Sequence, residues 1–449
     1  MTRIDPQQER EQMSSLHEAP PFFARLSEAP IQFDEAVEHL GQTLPLLFEL
    51  GATPQDPVWH AEGDVATHTR MVCEDLEEAI LAGRAACGVD PYWRAVTRLS
   101  ALLHDIAKPL TTREDITPER TRIIAPHHAH RGASYIACRL LDAGCPNQLA
   151  LDALELVRLH HDPKRLVLHN AEPAAYLALA RQIPLAALYD LEMADMRGRR
   201  CEDRQEQLDL IELFKLMAQS AGAWHIEEVE RWHDAFCAHI REDLGARNME
   251  EARIERAIHE GLEAHARQEI FTPHEAVAKE LASGDRFCQV VLAVGLSGSG
   301  KSNNLLSYQN DTNRETVILS LDALREEMAR DVTDQSKNRE VVGRARELLR
   351  EALRAQKNVL FDATSLLRDH RAPILSLATD YNAHTTLMLM HTSPESCHRR
   401  NAARERKVPP HILDKQLDAL SWPVPGEAHV MHVFDEEGER LRYHRFDAR

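Results

Sequence analysis

Two sets of residues in this 449-residue chain have the types and spacing that phosphate chemistry needs. The first is Gly295-Leu-Ser-Gly-Ser-Gly300-Lys301-Ser302, a G-x-x-x-x-G-K-[ST] pattern. Glycines let such a backbone curl until successive N–H groups point at phosphate oxygens. The pattern assigns Gly295, Ser297, Gly298, Ser299, Gly300, Lys301 and Ser302 to a nucleoside triphosphate, ATP or another NTP. Lys301 would reach the β- and γ-phosphates and the Ser302 hydroxyl would hold Mg²⁺. Asp322, with Arg325 three residues on, ends the next apolar run. A carboxylate there can take a proton from an attacking hydroxyl, and the same position also suits a helix N-cap. Asp362-Ala-Thr364 with Arg368 and Arg371, then Arg400-Asn401-Ala-Ala-Arg404-Glu-Arg406-Lys-Val408-Pro409, add guanidinium groups further along.

The second set lies in the other half of the chain: His68, the doublet His104-Asp105, His128 within a His-rich turn, the pair His160-His161, and Asp195. Imidazole nitrogens and carboxylates suit divalent Mn, Fe, Co, Ni or Zn. One or two such ions sharing Asp105 would lower the pKa of a water enough for it to attack phosphorus near neutral pH. Any one of these histidines alone reads as a surface or capping group. Five such places in this order on a helical segment read as a site. His60, His130, Arg131, His225, His233, His239, His259 and His265 read as structural or solvated.

The elements that must position these residues change character once. Up to about residue 280, apolar residues recur at three- and four-residue spacing (79–86, 99–103, 136–141, 150–159, 174–187, 208–217), which predicts successive helices. Beyond it, apolar runs at 289–295, 316–321, 357–361 and 385–390 alternate with helical stretches, one presenting Val341, Ala345, Leu348 and Ala352 on a single face. That alternation predicts a parallel sheet covered on both sides. The expected organisation is a multidomain chain with four parts. They are an N-terminal helical extension (1–54), an all-α core (55–205), a helical bridge (206–284) and an α/β domain (285–449) with a helical lid at about 395–412. No internal repeat or low-complexity tract interrupts this order.

Composition fits a globular protein: 43% hydrophobic and 28% charged, with 18 Gly and 22 Pro. No apolar run reaches the length of a membrane span and the N-terminus is polar, so a cytoplasmic location and no membrane partner are expected. The eight cysteines are widely spaced without a C-x-x-C and read as reduced thiols. The formal charge of −19 is uneven, because residues 285–449 hold 24 Lys+Arg and 24 Asp+Glu. The acidity therefore falls on 1–284, while Arg399, Arg400, Arg404, Arg406 and Lys407 crowd together and can meet phosphates locally within a Debye length.

With these residues set out, two resemblances become specific. The phosphate loop, the D-x-x-R after the second strand, the D-x-T with downstream arginines and the R-N-x-x-R…V-P block together resemble the polynucleotide 5′-kinase family. The resemblance implies Asp322 as general base on a 5′-hydroxyl and Arg325 on the adjacent phosphate. It also implies Arg400 and Arg404 on a lid over the transferring phosphoryl group, and Arg368 and Arg371 on strand phosphates. The order H…HD…H…H…D is similar to the HD-domain phosphohydrolases, and Glu62-Gly-Asp64-Val…His68-Thr to the version found beside bacterial tRNA nucleotidyltransferases. This second resemblance implies His68, His104, Asp105 and Asp195 as metal ligands, with His128 and His160 completing a second metal site. It leaves His161 in an outer shell and Lys108 on phosphate.

Together they resemble the bacterial bifunctional end-healing enzymes of the HD-Pnk type. For those, the implied work is hydrolysis of 2′,3′-cyclic phosphate and 2′- or 3′-phosphate ends and phosphorylation of 5′-hydroxyl ends. The implied partners are RNA or DNA ends with little sequence specificity, in functional sequence with a nucleic-acid ligase. An HD nucleotidase fused to a small-metabolite kinase, and an HD hydrolase gated by a nucleotide-sensing domain, remain open at this level.

Overall fold

Apolar residues at helical spacing close the first half of the chain around buried helices, and parallel strands organise the second. The computed structural model describes residues 6–30, 32–88, 90–117, 120–284, 287–310, 314–329, 338–441 and 443. It divides into two units, Met1–Trp232 with Tyr443–Arg449, and His233–Arg442. The segment 206–284 is split between them: Arg204–Ser220 lies in the first, Glu251–Ala266 and Pro273–Ala282 in the second. Asp285, the first residue of the expected α/β domain, lies outside the described residues.

In the first unit, the helix Pro91–Leu103 starts where the Asp90 carboxylate accepts from the backbone N–H groups of Tyr92 (2.9 Å) and Trp93 (3.2 Å). Pro91 takes the first turn, where its missing donor costs nothing. This helix and Asn147–Leu159 are buried along almost their whole length, and each runs directly into a histidine, His104 and His160. Val65–Leu81 is started by Asp64, which accepts from Thr67 N–H and Thr67 Oγ1 at 2.8 Å each. Set into these helices is an antiparallel hairpin, β1 (Arg113–Ile116) and β2 (Thr121–Ile124), with Arg113 opposite Ile124. Its residues are exposed or half-buried, so no apolar alternation announces it in the sequence.

The second unit holds β3 (Gln289–Val294), β4 (Thr316–Ser320), β5 (Asn358–Asp362), β6 (His384–Met390), β7 (Val430–Phe434) and β8 (Arg440–Leu441). Their order is β4-β5-β3-β6-β7-β8, parallel from β4 to β7, with β8 antiparallel. β3 and β6 pair at the centre, Val290 beside Thr385 through Val294 beside Leu389, and are buried nearly throughout. That burial on both faces is why they read as continuous apolar runs. β7 and β8 lie beyond the four predicted strands, because β7 is half-buried and follows the proline-containing stretch 422–425. On the helix Asn338–Arg354, Leu349 joins Val341, Ala345 and Ala352 in the core, with Leu348 half-buried beside them. Among the described residues no helix is long and apolar enough to cross a membrane.

Two histidines of this sheet make the unit sensitive to acid. Burial holds His384 well below its ordinary pKa, and burial with the Arg440 charge brings His432 down to about 3. Both are neutral in the fold, whereas the unfolded chain binds a proton below about 6.5, so stability is present above that pH and lost as pH falls. At pH 5 His432 should cost about 2 kcal/mol relative to pH 7.5, and His384 should add a loss in the same direction. Urea midpoints of the full chain at the two pH values, followed by hydrogen exchange in β6 and β7, should show the loss.

Candidate active sites

Parallel strands place the residues that follow them along one edge of the sheet. Three such turns meet here. After β3 the chain enters the 295–302 loop with left-handed φ at Gly298 (89°) and Gly300 (103°). A Cβ at Gly298 would come within 2.4 Å of the Cys397 carbonyl oxygen, so only glycine fits there. The loop is tied to the turn after β5 by Gly295 N–H donating to Thr364 O at 3.1 Å. Lys301 opens the next helix, and its ammonium donates to Leu296 O at 2.7 Å. Burial brings its pKa down to about 8, against the raising influence of Asp362 and Asp322. Ser302 Oγ donates to Asp362 Oδ2 at 2.9 Å, which gives Asp362 a definite place beside the expected Mg²⁺ hydroxyl. The loop and this hydroxyl–carboxylate pair suit a Mg²⁺–nucleotide: a glycine-bearing turn with left-handed φ, a buried ammonium, and oxygen donors for a hard cation.

Asp322 starts the helix Leu321–Ala329, and its side chain is 78% exposed. Arg325 Nη1 donates to its Oδ1 at 2.5 Å. Ser320 takes a cap-like contact at that helix start, its Oγ 3.4 Å from Ala323 N, and the Asp322 carboxylate is turned to Arg325. Arg400, near the end of Pro394–Ala402, donates to Ser299 O (3.4 Å) and Glu436 O (2.6 Å), which holds its guanidinium against the loop. The following turn is closed at its base by Asn401, donating to Val408 O at 2.7 Å and accepting from Val408 N–H at 2.9 Å. Arg404, Arg406 and Lys407 sit on that turn in solvent, Arg406 gripping Glu326 through both carboxylate oxygens. Arg368 is likewise exposed.

Arg371 corrects the sequence expectation of a strand contact. It is fully buried and donates to Glu427 (2.8 and 3.0 Å) and to the carbonyl oxygens of Ser365, Leu366 and Ser421. It is a strut that ties the turn after β5 to the chain beyond the lid, and no strand can reach it. Arg371→Met should cost about 3–5 kcal/mol by leaving the Glu427 carboxylate buried and unpaired. Chemical denaturation checks this, and where the variant stays folded its KM for any polymeric acceptor should be unchanged.

In the helical unit, His68, His104, Asp105, His128, His160, His161 and Asp195 converge. His68 Nε2 is 2.9 Å from Asp195 Oδ1 and 3.4 Å from His104 Nε2. Asp105 lies between two groups, Oδ2 3.2 Å from His104 Nε2 and Oδ1 3.2 Å from His128 Nε2. The helices set the tautomers: His104, His128 and His160 each present Nδ1 to the carbonyl three residues back (Ala101, Ala125, Val157) at 2.7–2.8 Å. Nδ1 is then the donor and Nε2 carries the lone pair facing the cluster. Glu62 does the same for His68 from outside, 3.2 Å from its Nδ1 and 2.7 Å from His60 Nδ1.

Lone pairs and carboxylate oxygens facing one another in a buried space call for a cation between them. His160 Nε2 is buried without a hydrogen-bond partner, and burial brings its pKa down to about 3. Burial works against charge on Asp105 and Asp195, yet His104 and Lys108 hold the first, and Arg199 with His68 the second, well below the usual carboxylate range. Among the described residues, candidate ligand atoms fall within 4.8 Å of one another in four sets. These are His68–His104–Asp105, His128–His160–His161, His60–Glu62–His68 and His161–Glu192–Asp195. The donor set fits borderline divalent metals. His161, expected in an outer shell, stands as close as the ligands, its Nε2 3.1 Å from His128 Nε2.

Several residues of this site escaped the sequence reading. Arg199 donates to Asp195 from one helical turn on (Nε to Oδ1, 3.1 Å), a spacing that could have revealed it. Glu192, one turn back, is buried with Lys164 at 3.0 Å, and burial pushes its carboxyl up. Lys108, by contrast, was expected on phosphate; its ammonium is 2.7 Å from Asp105 Oδ2 and donates to Gln55 Oε1 at 2.6 Å. His60, read as structural or solvated, is buried against Glu62.

Comparison with protein families agrees with this geometry. Residues 64–191 match the model of the HD domain, and residues 290–423 match that of an AAA domain. The chain thus joins a helical HD phosphohydrolase domain to an α/β P-loop kinase-like domain with a mostly parallel sheet. Such a pairing supports a bifunctional hydrolase and kinase. The HD match stops short of Asp195, which the fold carries back into the cluster.

Proposed function

We propose that the protein heals nucleic-acid ends. The kinase-like domain would phosphorylate a 5′-hydroxyl end from an NTP. The HD domain would hydrolyse 2′,3′-cyclic phosphate and 2′- or 3′-phosphate ends. The observation that carries the reading is the openness of the acceptor side: the Asp322 carboxylate is 78% exposed and held by a largely buried Arg325, with Arg368, Arg404, Arg406 and Lys407 in solvent. A metabolite kinase gains by enclosing a small acceptor from water, whereas a polymer end needs an open approach. In the reaction, Asp322 takes the proton of the 5′-hydroxyl as its oxygen bonds to the γ-phosphorus. The bond from that phosphorus to the β–γ bridging oxygen breaks, and the nucleoside diphosphate leaves. Lys301 and Arg400 face the transferring group, and Arg404 closes over it from the lid.

On the HD side, His68, His104, Asp105 and Asp195 would hold a divalent metal, with His128, His160 and His161 placed for a second. Bound there, the metal supplies Lewis acidity toward a phosphoryl oxygen. Lys108 and Arg199 bring positive charge to the phosphate and orient Asp105 and Asp195. Among the described residues neither site offers an element for reading base sequence, so RNA and DNA ends of many sequences are expected substrates, and a ligase the natural successor. Incubation with γ-labelled ATP and equimolar 5′-hydroxyl oligonucleotide, nucleoside and free sugar tests the kinase assignment. Label should enter the oligonucleotide. Label confined to the nucleoside or sugar would refute the reading.

A further inference from the structure

Resting on that reading of the HD site, we infer that Trp59 and the wall formed by β2 make a stacking subsite for the base of the terminal nucleotide. A cavity of about 210 Å³ opens beside the histidine cluster. His128, His161, Lys108 and Arg199 line one part of it, and Trp59, Ile123 and Ile124 another. One space therefore holds the phosphate chemistry together with an aromatic and aliphatic surface. Its volume is below the ~300 Å³ at which small-ligand pockets begin, so it takes a ribose phosphate and leaves the base at the mouth. That arrangement suits the end of a chain, whose remaining nucleotides must lead outward.

The backbone that carries the indole is held in place. Asp56 is buried, accepting from Val58 N–H at 2.9 Å through Oδ1 and from Ile123 N–H at 3.3 Å through Oδ2. One carboxylate thus fixes the 56–59 turn to β2. Trp59 N–H and His60 N–H both donate to Asp56 O (3.1 and 2.8 Å), so the turn that carries the indole also carries the histidine buried on Glu62. The Arg122 guanidinium lies over the indole, its Cζ 5.5 Å from the ring centroid, so it covers one face with positive charge and a base would take the other. Stacking on an aromatic face accepts any base, and a wall of isoleucines offers no hydrogen bond to choose among them. The subsite therefore distinguishes a nucleotide end from other phosphate esters without reading sequence.

The test compares adenosine 2′,3′-cyclic phosphate with the base-free methyl ribofuranoside 2′,3′-cyclic phosphate on the metal-loaded full-length protein. Stacking of one base is worth ~1–3 kcal/mol, or roughly 5- to 150-fold. Trp59→Ala should raise KM for the adenosine ester at least fivefold with kcat within twofold, and leave KM for the base-free ester unchanged. Equal cleavage of the base-free ester also shows that the variant is folded. Trp59→Phe should restore most of the affinity, and Ile123→Ala should repeat the Trp59→Ala pattern more weakly. An unchanged KM for the adenosine ester in Trp59→Ala, with wild type cleaving it well, overturns the subsite and leaves the HD assignment standing. Failure of wild type to cleave either ester overturns the HD reading itself.

Discussion

Asp105→Asn should abolish phosphate-ester hydrolysis, lowering kcat/KM by about a thousandfold or more, while phosphoryl transfer by the P-loop domain stays within twofold of wild type. Asp105 is 2% exposed and stands between His104 and His128, with Lys108 at 2.7 Å. Asparagine keeps its shape but removes the charge and turns one oxygen into a donor group facing lone pairs or an ammonium. A metal's charge stabilisation in such a site is worth several kcal/mol, and each 1.36 kcal/mol is a decade in rate. The same variant should lose bound divalent metal, measured by elemental mass spectrometry of the purified protein. A parallel fall in both activities would point instead to general unfolding, because the kinase residues lie in a separate unit.

Asp322→Asn should lower phosphoryl transfer by about 10²–10⁴-fold, the usual cost of removing a general base, with nucleotide binding and hydrolase activity retained. Its carboxylate is exposed, and asparagine keeps an oxygen toward the largely buried Arg325 guanidinium, so stability should change little. Titration of a fluorescent ATP analogue separates the two outcomes. Loss of transfer with intact binding assigns the carboxylate to chemistry, whereas unchanged transfer removes Asp322 from it. The contrast with Arg371 is direct: that arginine is buried on Glu427, and its loss should act through stability.

The sequence made the phosphate loop and the His-Asp doublet legible because their chemistry fixes local spacing. A loop of inward amides needs glycines at set positions, and Gly298 has no room for a Cβ. The parallel sheet was legible for the same kind of reason: β3 and β6 are buried on both faces and must be apolar throughout. What depended on distant packing was not legible. Arg368 and Arg371 sit three residues apart, and only the fold shows that one faces solvent and the other closes on Glu427. Glu62 stood inside a recognised motif, but its contact with His68 arises only when its turn packs against Val65–Leu81. The β1–β2 hairpin carries no apolar alternation, so nothing in its composition foretold the wall beside Trp59.

The most direct measurement uses a single RNA oligonucleotide bearing a 5′-hydroxyl and a 2′,3′-cyclic phosphate, incubated with the full-length protein, ATP, Mg²⁺ and Mn²⁺. Intact mass and end-group analysis should show a 5′-phosphate gained and the cyclic phosphate converted to a free hydroxyl end. Asp322→Asn should retain only the second change and Asp105→Asn only the first. Recovery of the oligonucleotide unchanged at both ends, while a free nucleoside or sugar in the same tube is phosphorylated, would contradict an end-healing role.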